Sequence, residues 1–143
     1  MDIFCDSSFS EQEKRAGIGI LIKKGERQEN ISTSIPCDNN NIGELYAIYL
    51  SAILAGGEKC VIHSDSQVAL DFINNSVKSK TRKDFDTQQK WINYNQMRVL
   101  AYKTRRLCDN ITFTKIKAHR KDNKKDFIAN NIADLLAKNG IAR

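Results

Sequence analysis

Residues 60–70, CVIHSDSQVAL, decide how the chain is read. Cys60, Val61 and Ile62 form a short apolar run, the pattern of a buried strand. The run ends in Ser64, Asp65 and Ser66, and an amphipathic helical pattern begins at once. A strand passing straight into a helix is half of a crossover unit, and open α/β sheets build their sites beyond such strand ends. The plain reading of Asp65 is a helix cap. The other is a carboxylate held at the sheet's end for chemistry.

Working outward, DIFCDSSF is a first strand with apolar Ile3 and Cys5 alternating. AGIGILIKKG and RQENISTSIP, joined through Gly25 and Glu26, read as a β-hairpin closed by Pro36. NNNIGELYAIYLSAILAGG offers capping asparagines, apolar Leu45, Ile48, Tyr49, Ala52 and Ile53, and a terminating glycine pair. The strand at 59–64 and a short helix at about 66–75 follow. SVKSKTRKD is a basic connector, and a long helical pattern runs from about 84 to 108. NITFTKIKAH is a fifth strand, RKDNKKD a charged loop, and FIANNIADLLAKNG a last helix. On its wheel Ile128, Ile132, Leu135 and Leu136 share a stripe opposite Asn130 and Asp134, which places Asp134 toward solvent. The order β-β-β-α-β-α-α-β-α predicts an α/β fold: a mixed five-stranded sheet, strands one to three antiparallel and four and five parallel, flanked by helices.

With 143 residues, the chain is expected to form a single domain over 1–143. No apolar run approaches the roughly 20 residues that cross a bilayer, and MDIFCDSSFS lacks a signal-peptide pattern. An intracellular, cytoplasmic protein is expected. Cys5, Cys37, Cys60 and Cys108 are scattered, and with His63 and His119 they make no zinc-type cluster. Residues 1–76 carry 6 Lys/Arg against 11 Asp/Glu, whereas 77–125 carry 15 against 4. A basic segment beside an acidic one fits a polyanion held by one part and acted on by the other.

Asp6 ends the first strand as Asp65 ends the fourth. Glu44 is the only charged residue between Ile42 and Gly57, in a helix apolar around most of its surface. The helix dipole favours an anion there by only about 0.3–1 kcal/mol, too little to bury an unpaired charge. If the three converge, each pair about 5 Å apart repels by roughly 3 kcal/mol at an effective dielectric near 20. Such a cluster raises its pKa values or recruits a cation. Hard oxygen ligands suit Mg²⁺ or Mn²⁺, and two such ions clamp a phosphodiester during hydrolysis.

Five stretches, DIFCDSSF, NNNIGELYAIYLSA, IHSDSQVAL, KIKAH and NNIADLLAK, resemble in order the motifs of type 1 ribonuclease H over residues 2–138. The resemblance implies an RNase H-like fold and a divalent-metal-dependent endoribonuclease. It would hydrolyse the RNA strand of RNA–DNA hybrids by a two-metal-ion mechanism and leave 5′-phosphate ends. It implies Asp6, Glu44, Asp65 and Asp134 as metal-binding, catalytic carboxylates, and His119 on a loop that positions water, relays a proton or aids product release. Ser7, Ser8, Asn40, Asn41, Ser66, Gln67 and Asn130 match places near the substrate's backbone and sugar hydroxyls. Lys78, Lys80, Arg82 and Lys83 match a basic handle for the hybrid, and Lys90, Arg98, Lys103, Arg105 and Arg106 continue the positive charge along the long helix. Trp91 and Tyr94 read as core before they read as stacking platforms. The expected partner is the hybrid, bound by a monomer with two Mg²⁺ or Mn²⁺ ions, without a membrane or a small-molecule organic cofactor.

The chain departs from the family pattern in three places. Asp-Gly-Ser has become Asp6-Ser7-Ser8, which puts a side chain where backbone usually approaches the RNA. The glycine-rich turn has become SEQEKRAG, and Lys-Gly-His has become Lys117-Ala118-His119 with a longer interval to Asp134. Two alternatives stand beside the leading reading: a catalytically silent module binding hybrid or duplex RNA on the same fold, and another nuclease of the wider superfamily. Clustered carboxylates near phosphates argue against the first. Asp6-Ser7-Ser8, in place of Asp-x-Glu, argues against a proofreading-type exonuclease.

Overall fold

The structure, a computed structural model, describes residues 1–116 and 124–142. Strand β1 (Asp2–Ser10), β2 (Arg15–Lys24) and β3 (Arg27–Pro36) form an antiparallel meander. Helix α1 (Asn40–Ala55), strand β4 (Cys60–Ser64), helix α2 (Gln67–Ile73), helix α3 (Gln88–Arg105), strand β5 (Ile111–Lys115) and helix α4 (Lys124–Ala142) follow. The sheet order is β3-β2-β1-β4-β5, with β4 parallel to both β1 and β5. The expected mixed sheet is therefore present. Helix α3 is shorter than its sequence pattern, because Thr87 caps it at one end and the chain leaves the helix after Arg105.

The period of two along β1 sorts its side chains between two layers. Ile3 and Cys5 join Ile18, Ile20, Leu45, Ile48 and Ile62 in the larger core against α1. Phe4 joins Leu21, Ile116, Ala129 and Ala133 in a smaller core beneath α4. Asp6, two residues on from Phe4, belongs to the α4 side of the strand. Helix α1 is started by Asn39, whose side chain accepts the Ile42 N–H at 2.8 Å, and stopped by Gly56 at φ 61°.

Helix α4 departs from its wheel. Its buried face is Ala129, Ala133, Ala137 and Gly140, while Ile128 and Leu135 are 55% and 60% exposed. The reason is close approach. A Cβ on Gly17 or Gly19 of β2 would overlap the carbonyls of Ala137 and Ala133, and one on Gly140 would overlap that of Thr33. Helix backbone rests almost directly on sheet backbone, so only small residues fit between them. Ser32 Oγ donates to the Leu136 carbonyl at 2.6 Å and ties the helix to β3. The rotation this imposes brings Asn130 and Asp134 inward from the solvent face expected of them, leaving Asn130 buried and Asp134 half-buried.

Candidate metal and nucleic-acid site

Three elements deliver three carboxylates to one point. Asp6 comes from β1, Glu44 from the first turns of α1, and Asp65 from the junction of β4 and α2. One carboxylate oxygen from each lies within 4.8 Å of the others. Asp6 and Glu44 are buried, and Asp65 is half-buried. The cap of α2 is Ser66, whose Oγ accepts the Ala69 N–H at 3.1 Å. The capping explanation for Asp65 is therefore taken up by its neighbour.

Electrostatics at this point are unfavourable to charge. Burial, then the Asp65 charge, raises the Asp6 carboxyl to about 7, against the Ser7 N–H that donates to its Oδ1 at 2.8 Å. Burial and then the charges of Asp6 and Asp65 raise Glu44 to about 9. Asp134 contributes to both shifts, so it stands beside the three although it lies outside their 4.8 Å group. Glu44 Oε2 is buried with no hydrogen-bond partner. Among the described residues no Lys or Arg pairs with Asp6 or Glu44.

This arrangement passes the test of fit for a hard divalent cation. Its donors are carboxylate oxygens, which suit Mg²⁺ or Mn²⁺ over softer metals. Its orphaned acceptor and raised pKa values are what a site for absent positive charge produces.

The remaining expected residues are placed unevenly. Asn40 and Asn41 are exposed at the start of α1, beside the capping Asn39, and Gln67 is exposed at the start of α2 with its amide donating to Asp71. Asn130 is buried, with an unpartnered Oδ1. Ser8 is half-buried. Ser7 turns inward. Its hydroxyl is buried and unpartnered against Gly43, where a Cβ would overlap Ser7 Oγ. Alternation along β1 turns Ser7 to α1 because Asp6 faces the other way. His119, with Lys117 and Ala118, lies outside the described residues.

Lys78, Lys80, Arg82 and Lys83 all belong to a connector with a single 3₁₀ turn at Arg82–Asp84, and all four are exposed. The connector is pinned by the Tyr94 hydroxyl, which accepts the Lys80 N–H at 2.9 Å. Trp91 is half-buried in an aromatic cluster with Phe85 and Tyr94, ring centroids 5.2–6.1 Å apart. Sequence reasoning missed Lys138, whose Nζ lies 3.0 Å from Asp134 Oδ2. The signal was there in the i, i+4 spacing on one helix.

A family model for RNase H matches residues 1–142, and the chain belongs to the RNase H family. Among solved structures, it is similar to RNase H1 from the halophilic archaeon Halobacterium salinarum NRC-1. That match has a TM-score of 0.70 at 17% identity and covers 99% of this chain and 96% of that one. It is also similar to part of the prototype foamy virus protease-reverse transcriptase, with a TM-score of 0.66 at 17% identity. There 97% of this chain corresponds to 20% of the viral one. No curated protein matches the sequence. At such identities the two structures speak for the fold, and the family model carries the membership.

Proposed function

We propose that the protein is a type 1 ribonuclease H: a metal-dependent endonuclease that cuts the RNA strand of RNA–DNA hybrids and leaves 5′-phosphate ends. The observation that carries this reading is the buried meeting of Asp6, Glu44 and Asp65 within 4.8 Å, with Glu44 Oε2 unpartnered. Family membership supplies the substrate class.

Asp6, Glu44, Asp65 and Asp134 would hold two Mg²⁺ or Mn²⁺ ions. When bound, such ions would supply Lewis acidity for an attacking water and for charge developing on the scissile phosphate. The buried walls around Asp6 and Glu44 exclude bulk water, which strengthens every charge interaction at the site. Asn40, Asn41, Ser66 and Gln67, at the starts of α1 and α2, read the hybrid through sugar hydroxyls in its wide minor groove. The Ser66 hydroxyl does so while capping α2, since a hydroxyl oxygen has two lone pairs. Lys78, Lys80, Arg82 and Lys83 hold phosphates, and Ser7 and Ser8 frame Asp6 from β1. Asn130, one turn before Asp134, faces the same site, and His119 positions water, relays a proton or aids product release. The protein acts as a cytoplasmic monomer and needs no organic cofactor.

The test is a strand-labelled RNA–DNA hybrid, an RNA duplex and a DNA duplex, each with Mg²⁺, Mn²⁺ or EDTA. Cleavage confined to the hybrid's RNA strand, and abolished by EDTA, is expected. Binding without cleavage in either metal, or stepwise loss from a 3′ end, would overturn the proposal.

A further inference from the structure

A cavity of about 570 Å³ opens between the end of α2, the 76–80 connector and the second half of α3. Arg98, Lys103 and Arg105 line it together with Tyr102, Val77 and Ala101, and no carboxylate does. None of the three cations has a carboxylate partner among the described residues. Arg98 lies over the Tyr94 ring at 5.8 Å, and Arg105 is braced on the carbonyls of Phe72 and Ile73 at 2.9 and 3.3 Å. Ala101, 1% exposed, forms a small floor, and Tyr102 stands 54% exposed at the rim. The pocket thus sets positive charge beside a half-exposed tyrosine, whose ring carries the Arg106 guanidinium 5.8 Å from its centroid.

Its position gives it an occupant. The Phe72 and Tyr94 rings, 6.0 Å apart, also line a second cavity, which reaches Asn41, Lys80 and Phe85 near the expected substrate contacts. A strand leaving that region crosses one aromatic wall to enter the basic pocket. Arg98 and Arg105 are seven residues apart on α3, about 10 Å at 1.5 Å per residue. That length suits about three nucleotides at the 3.4 Å spacing of a stacked strand. Aromatic stacking with charge along a backbone is how proteins hold single strands without reading sequence.

We infer that the pocket between α2 and α3 holds the first nucleotides of a single-stranded extension of the bound hybrid, phosphates on Arg98, Lys103 and Arg105 and a base on Tyr102. This rests on the proposed hybrid substrate and adds to it a preference for hybrids next to an unpaired strand.

The experiment measures fluorescence anisotropy of the intact protein, in EDTA, with a blunt RNA–DNA hybrid and with hybrids carrying a three-nucleotide extension at each end in turn. One extended hybrid should bind about tenfold more tightly than the blunt one. Arg98→Ala/Lys103→Ala should erase that gain and weaken the blunt hybrid far less than the extended one. Tyr102→Ala, at an exposed position, should erase part of it. Removing each phosphate-binding cation should also flatten the dependence of log K on log salt by about 0.7 for a single strand. Equal affinity for blunt and extended hybrids, or a double variant that weakens both alike, would overturn the inference. A retained extension gain with no cleavage in Mg²⁺ or Mn²⁺ would overturn the catalytic proposal and leave this one standing.

Discussion

Lys138 and Asp134 face each other one turn apart on α4, with the ammonium nitrogen 3.0 Å from the carboxylate. The pair is half open to solvent, so its own contribution to stability is at most about 1 kcal/mol. Its effect on the site is of another kind. A fixed positive charge on Asp134 competes with any cation that the carboxylate helps to hold. Lys138→Ala should therefore lower the Mg²⁺ or Mn²⁺ concentration for half-maximal cleavage, by about two- to fivefold for up to 1 kcal/mol. A metal titration of wild type and variant checks this, and a higher metal requirement in the variant would refute it.

The raised carboxyls set the pH dependence of the metal-free protein. Glu44 moves from 4.5 to about 9 and Asp6 from 3.8 to about 7, so between those limits the folded chain holds protons that the unfolded chain has released. Stability therefore falls as pH rises from about 4 toward 9. Thermal melts in EDTA should show a Tm lower at pH 8 than at pH 5, and Glu44→Gln should flatten that slope. Added Mg²⁺ should raise Tm more at pH 8, because binding must displace those protons. A pH-independent metal effect would speak against the site.

Asp65 is the most exposed of the three clustered carboxylates, which makes it the cleanest to neutralise. Asp65→Asn removes charge while keeping shape. Cleavage should fall by about a thousandfold or more, the scale of several kcal/mol of lost electrostatic stabilisation. Hybrid binding in EDTA should survive. Near-normal turnover by the purified variant would sink the assignment.

Close approach of α4 to β2 is testable by contrast. Gly19→Ala sets a methyl against the Ala133 carbonyl, which is backbone and cannot rotate away. A loss of about 1–3 kcal/mol is expected, as for overpacking, with a further loss of metal-dependent activity as Asp134 is displaced. Leu135→Gln, on the exposed face of the same helix, should leave stability within about 0.5 kcal/mol. Melting curves of the two variants decide between the observed helix rotation and the one its apolar stripe predicts.

Most of the architecture was legible because it follows from local rules. The Gly25–Glu26 turn, the glycine pair after α1 and the apolar run at Cys60–Ser64 are signals that neighbouring residues carry by themselves. Glu44 could be singled out as the one charge in an apolar helix, and Asp6 and Asp65 by standing at the ends of two strands.

Asp134 and Ser7 could not be placed in that way. The wheel of α4 puts Leu135 inside, since periodicity counts hydrophobicity and is blind to the surface a helix meets. Here that surface is a glycine-lined hairpin, and the shortest side chains win the interface because they let the backbones touch. Types and spacing along the chain determined the strands, the helices and the three conspicuous acids. Only tertiary packing decided that α4 turns Asp134 toward them and Ser7 toward α1, because rotation of an element is set by steric fit to a partner far away in sequence.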